Sequence, residues 1–142
     1  MRDLILKMSM AAWWPTSTDV FAPPMNQIPK AVFSRQGPAI LGKARPGAGS
    51  WARAYVASGG LAEEIATLKV QDGKPIIAHG GVSFARGLVA RGLVDQFALW
   101  VAPLALDKGL QLFSDLAAPT PLKPISSKTS PGGAVAQIYR PA

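Results

Sequence analysis

Between Ala54 and Val101 three short apolar runs alternate with two stretches of helical periodicity, and this order restricts the possible folds more than any other feature of the chain. The runs are Ala54–Ala57, Pro75–His79 and Phe97–Val101, each of strand length and apolar enough to be buried. In the first helical stretch Leu61, Ile65 and Leu68 fall at i, i+4 and i+7, leaving Glu63, Glu64 and Thr67 free to face water. Ser58 or Gly60 can cap its start, and the two glutamates suit the positive end of the helix dipole. Asp72-Gly73 then predicts a stop and a turn. In the second stretch Ser83 serves as N-cap, with Phe84, Leu88 and Val89 inward and Arg86 outward. Gly92 closes that helix as a left-handed residue, with Leu93 placed for the hydrophobic contact that accompanies such an ending. Strand, helix, strand, helix, strand implies parallel pairing through right-handed crossovers.

The flanks complete the pattern. Leu4–Met8 reads as an opening strand and Lys30–Phe33 as a second. Between them Pro15, Pro23, Pro24 and Pro29 predict mostly loop, and the glycines and prolines of Gln36–Ser50 predict another. Pro103–Gly109 is a turn region, followed by a short strand or 3₁₀ piece at Leu110–Phe113. Leu122–Ser126 and Ala134–Tyr139, joined around Pro131-Gly132-Gly133, read as an antiparallel hairpin. The expected fold is α/β: an open, mixed, mainly parallel sheet with helices on both faces and a C-terminal antiparallel hairpin. At 142 residues the chain has the size of one domain and can bury a core without staples.

Composition removes several functional classes. With no cysteine, the chain has no disulfide framework, thiolate metal site or cysteine nucleophile, which fits a reducing cytoplasm. His79 is the single histidine, so no metal cluster can be built around it; it reads as satisfied at a strand end. No apolar stretch approaches the ~20 residues that span a bilayer. Met8–Trp14 is too short for a signal peptide and lacks a small-residue cleavage site, so a soluble, unexported, cytoplasmic protein is expected. The net charge is +7, yet the basic residues are scattered. From Val20 to Ala62 the chain carries Lys30, Arg35, Lys43, Arg45 and Arg53 and no acid, either a solvated basic face or a surface that concentrates phosphorylated ligands. No aromatic residues interleave with a basic stripe, so nucleic acid is not an expected partner, and without a spanning stretch neither is a membrane. Trp13, Trp14, Trp51 and Trp100 follow no single spacing and read as packing residues.

Two places can carry chemistry. At His79-Gly80-Gly81-Val82-Ser83-Phe84 a strand runs into two glycines and then directly into a helix. Ligands of open α/β sheets bind beyond the carboxyl ends of strands. Glycines let a backbone approach a diphosphate, and the unpaired amides of the next helical turn donate to it. The same residues also suit an ordinary tight turn. Ser34-Arg35, directly after the strand Lys30–Phe33, pairs a hydroxyl with a guanidinium as a phosphomonoester requires, or forms a simple polar strand end. No Ser/His/Asp or paired-carboxylate constellation can be identified. Lys7, on the opening strand, could face a substrate or pair with a backbone carbonyl.

Read in order, Val32-Phe33-Ser34-Arg35, Ile77-Ala78-His79-Gly80-Gly81-Val82-Ser83-Phe84-Ala85 and Gly92-Leu93-Val94-Asp95 form a recognisable set. It continues with Leu99-Trp100-Val101-Ala102-Pro103 and Gly109-Leu110-Gln111-Leu112-Phe113. The set resembles the family that joins the reductase domain of bacterial riboflavin biosynthesis to dihydrofolate-reductase-like proteins. The resemblance implies hydride transfer from NADPH to a small heterocycle, a pterin or a ribosylamino-pyrimidine, by a homodimer. It implies that Ser34 and Arg35 hold the adenosine 2′-phosphate, and that Gly80, Gly81, Val82, Ser83 and Phe84 hold the diphosphate. Dihydrofolate reductases also carry a cis peptide at the matching glycine pair, so a cis Gly80–Gly81 bond is expected. The resemblance departs after residue 10, where Met10 passes straight to Ala11-Ala12-Trp13-Trp14-Pro15. The chain therefore reads as one domain over residues 1–142, abbreviated after residue 10: it lacks the segment that in relatives carries an Asp-Gly pair beside the nicotinamide, and the strand–helix unit that follows it. Asp3 and Asp19 do not take that carboxylate's place, and the catalytic residue stays unassigned. The alternative is a catalytically impaired dinucleotide-binding or self-associating protein of the same fold.

Overall fold

Prolines open the helix at Ala22–Gln27 instead of forbidding it. A computed structural model describes residues 10, 11, 13–39 and 49–142, which fall in two compact units, Met1–Ser83 and Phe84–Ala142. In the first, α1 spans Ala22–Gln27 with Pro23 and Pro24 in its first turn, where a missing N–H removes no helical bond. The segment was expected to be loop. Asp19 sets the entry: its Oδ1 accepts the Phe21 amide at 2.8 Å and its carbonyl accepts the Ala22 amide at 2.9 Å.

Strand β1 (Ala31–Val32) pairs in parallel with β2 (Tyr55–Val56), Ala31 opposite Tyr55 and Val32 opposite Val56. The Tyr55 amide donates to the Lys30 carbonyl at 2.8 Å and the Ala57 amide to that of Val32 at 2.9 Å. Trp51, in a 3₁₀ turn at Gly49–Trp51, is buried, as are Ala22, Val32 and Ala54. Helix α2 runs from Leu61 to Lys69, behind Gly60 in extended conformation, and buries Ile65 as the periodicity predicts. Glu64 was expected in water and is buried, because its carboxylate folds back to accept the Gly59 amide, the Ser58 amide and the Tyr55 hydroxyl.

Pro75–His79 departs furthest from expectation. Its residues form no strand and are exposed, with Ile76 and Ile77 about half and two-thirds open to solvent. An apolar run becomes a strand only where a neighbour supplies hydrogen bonds, and none of the described strands pairs with it. The mainly parallel sheet is accordingly reduced, among the described residues, to the β1–β2 pair. The opening strand Leu4–Met8, Lys7 with it, lies outside the described residues, as do Lys43 and Arg45.

Helix α3 (Val82–Ala90) starts one residue before its expected cap and ends as predicted. Gly92 has φ +64°; its amide donates to Val89 and that of Leu93 to Leu88, both at 3.0 Å. This double bond to the last turn is the Schellman ending, and Leu88 is buried. In the second unit, β3 (Phe97–Val101), β4 (Leu122–Thr129) and β5 (Val135–Pro141) form an antiparallel sheet in the order β3-β5-β4. Each of the two hairpin strands extends further than expected. The turn between them is closed by Ser130 and Ala134, with Gly133 at φ +81°. The ladder shifts between Pro124 and Ser126, and β4 is an edge strand, where a proline is tolerated. Phe97 is buried and meets Phe113 edge to face at 5.6 Å. Leu110–Phe113, expected as a strand or 3₁₀ piece, forms turns, and Trp100, expected to pack, is exposed. The molecule is thus mixed α/β, with two small sheets and the helices α1–α3 among the described residues.

Candidate cofactor site

Ser34 and Arg35 follow β1 by two and three residues. Ser34 turns the chain there: its Oγ accepts the Gln36 amide at 3.1 Å and its carbonyl accepts the Gly37 amide at 3.2 Å. Accepting that bond leaves the hydroxyl proton free to donate outward. Arg35 is exposed at the same turn. A guanidinium beside a serine hydroxyl at a strand end offers several donors and a full positive charge, which suits a phosphate monoester.

Gly80 is exposed, Gly81 and Val82 are half-buried, Ser83 is exposed and Phe84 half-buried. The bend therefore presents backbone rather than bulky side chains. Val82 and Ser83 open α3, and the first amides of a helix have no acceptor within the helix itself, which is the setting in which helix starts bind anions. The Gly80–Gly81 peptide is trans, as is every peptide among the described residues. The cis bond expected from the resemblance is therefore absent; trans is the form an amide adopts by default. Ser34, Arg35, Gly80, Gly81, Val82 and Ser83 belong to the first unit and Phe84 to the second.

The remaining candidates resolve plainly. His79 is exposed beside the bend and not held at a strand end. Asp19 is occupied in the turn that leads to α1. Among the described residues no group of histidine, cysteine or acid side chains could hold a metal ion, and no helix is long and apolar enough to cross a membrane.

The residues missed in the sequence are those joined over distance. Asn26 Nδ2 donates to the Trp14 carbonyl and Asn26 Oδ1 accepts the Trp51 indole, both at 2.9 Å. Lys30, read as one more scattered cation, gives its three protons to the Met25 and Ile28 carbonyls and to Ser50 Oγ at 2.6–2.7 Å. Its ammonium also lies 4.3 Å from the centre of the Trp51 ring. These partners lie up to 25 residues apart, and no local spacing announces them.

The described residues define a mixed α/β chain with a polar turn after one strand and a glycine bend opening a helix. The sequence matches the RibD C-terminal domain over residues 7–136, and the chain belongs to that family, one associated with reductase activity. It is also 35% identical over 79 residues to the uncharacterized protein YyaP of Bacillus subtilis (strain 168). That alignment covers 56% of this chain and 42% of YyaP, so the chain spans less than half the length of its relative.

Proposed function

We propose that this chain is an NADPH-dependent reductase that passes hydride to a pterin or ribosylamino-pyrimidine acceptor. The observation that carries the reading is the family match, whose span of residues 7–136 includes both the Ser34-Arg35 turn and the Gly80-Gly81 bend. In this reading residues 1–142 form one domain of dihydrofolate-reductase-like arrangement, working as a cytoplasmic homodimer. Arg35 and Ser34 bind the adenosine 2′-phosphate. The backbone from Gly80 to Phe84 accepts the diphosphate, with Ser83 adding a hydroxyl at the start of α3. NADPH, when bound, supplies the hydride. The chain's own contribution is to orient the nucleotide from its phosphate end, which fixes the distant ring near the acceptor.

Titration of the purified chain with NADPH, followed by nicotinamide fluorescence, tests the reading. Saturable binding is expected, with NADH bound more weakly because it lacks the group Arg35 recognises. Arg35→Gln should weaken NADPH by about tenfold or more and leave NADH unchanged, since a charge-assisted phosphate contact contributes roughly 1.5–3 kcal/mol. Equal loss for both nucleotides would place Arg35 elsewhere. Absence of NADPH binding would remove the reductase reading.

A second reading, a non-catalytic self-associating protein of the same family, is favoured by the exposed Ile76 and Ile77. NADPH binding without its oxidation across a panel of pterins and pyrimidines would support it.

A further inference from the structure

A cleft of about 290 Å³ opens in the first unit between the end of α1, the Gly49–Trp51 turn and β2, lined by Gln27, Pro29, Lys30, Ser50, Arg53 and Tyr55. Two of these six are cations and none is an acid. Glu64, the carboxylate bonded to the lining residue Tyr55, is occupied by that hydroxyl at 2.7 Å and by two backbone amides.

The Lys30 ammonium is fixed rather than mobile. Its three protons are bound to two carbonyls and a hydroxyl, and the Trp51 ring faces it. Every one of these partners is neutral, so dipoles solvate its charge, and among the described residues no carboxylate is paired with it. Partial burial holds its pKa below the ordinary lysine value, as expected for a cation without a counter-charge. Across the cleft Arg53 sits in an exposed turn. Its guanidinium is the hydrogen-bonding partner an anion would use, while Lys30 supplies field from the cleft wall. Tyr55 and Ser50 give their hydroxyl protons to Glu64 and Asn26, so Arg53 and the Gln27 amide are the donors left to a ligand.

We propose that this cleft is an anion site that binds the phosphate of a small phosphorylated molecule, separate from the nucleotide site at Ser34 and Arg35. A monoester suits it better than the bare ion, because its volume approaches the lower end of small-molecule pockets and exceeds what one phosphate fills. The proposal does not rest on NADPH binding.

The test uses the full chain and the Trp51 indole N–H signal in nitrogen–proton NMR, which reports beside Lys30. Inorganic phosphate and glycerol 3-phosphate are titrated at constant ionic strength against the parent chain, Arg53→Gln and Arg35→Gln. Both anions should shift the signal saturably, glycerol 3-phosphate binding at least as tightly. Arg53→Gln should weaken binding by about tenfold, the loss of one charged hydrogen-bonding partner, and Arg35→Gln should leave it unchanged. No shift, a shift that survives Arg53→Gln, one abolished by Arg35→Gln, or weaker binding of the ester would each overturn the proposal.

Discussion

Glu64 shows how a residue can escape its pattern. Its position on α2 permits exposure, but a carboxylate reaching back past the helix start finds the Ser58 and Gly59 amides, and the Tyr55 hydroxyl closes the set. The Tyr55 hydrogen bond, then the Gly59 amide, hold its pKa below the ordinary 4.5, and Tyr55 in turn is raised above 10.0 by the same bond. A depressed carboxylate stabilises the fold fully above its unfolded value and loses that contribution as pH falls through the folded one. The raised tyrosine contributes below 10.0 and loses its share as pH rises past that value. Glu64→Gln should therefore unfold at lower urea than the parent at neutral pH, with the gap narrowing as pH falls below 4.5. A gap independent of pH would assign the loss to shape rather than charge. Nothing in the sequence points to this contact, since Tyr55 lies nine residues away on another element. Arg35 is the contrasting case: its place after a strand was legible, because strand ends and turn chemistry are local.

Elements were legible where a local rule fixes them and obscure where a neighbour must. Strand β3 appears at its expected residues, and α3 ends at Gly92 because the left-handed residue, its two bonds and the following Leu93 form one short motif. A side chain placed on Gly92 meets no atom within 4 Å, so the cost of Gly92→Ala is purely conformational, about 1–2 kcal/mol by chemical denaturation. Gly133→Ala should cost about as much, since its backbone is left-handed too and the added carbon would lie in ordinary van der Waals contact, 3.4 Å from Pro103. A clearly larger loss at Gly133 would show that the Pro103 contact does not yield. Leu88→Ala, which empties a buried position at the same helix end, should cost roughly 2–5 kcal/mol. Pro75–His79 obeyed the same composition rules as β3 and formed no strand. An apolar run states a wish for burial; it does not name the edge that will satisfy it. The short helix at Ala22–Gln27 failed in the opposite sense, since prolines that break a helix interior are harmless in its first turn.

At the scale of the molecule, exposed apolar surface remains at Ile76, Ile77 and Trp100, and the proposed homodimer would use part of it. Sedimentation across a range of concentrations should show self-association, and the double substitution Ile76→Ser, Ile77→Ser should shift it toward monomer without loss of helix content. An unchanged distribution would place the interface elsewhere. The α/β class and the family could be read from ordered motifs, whereas the division into a two-stranded and a three-stranded sheet could not, because strand neighbours are chosen by long-range pairing. That second sheet carries a consequence for synthesis. Its middle member, β5, leaves the ribosome after both strands it joins, so β3 and β4 emerge with nothing to zip onto and wait as bare backbone until their shared partner arrives. A nascent chain stalled before Val135 should consequently be cleaved by protease throughout Phe97–Thr129, and become resistant only once the tyrosine and isoleucine of the late strand have cleared the exit tunnel.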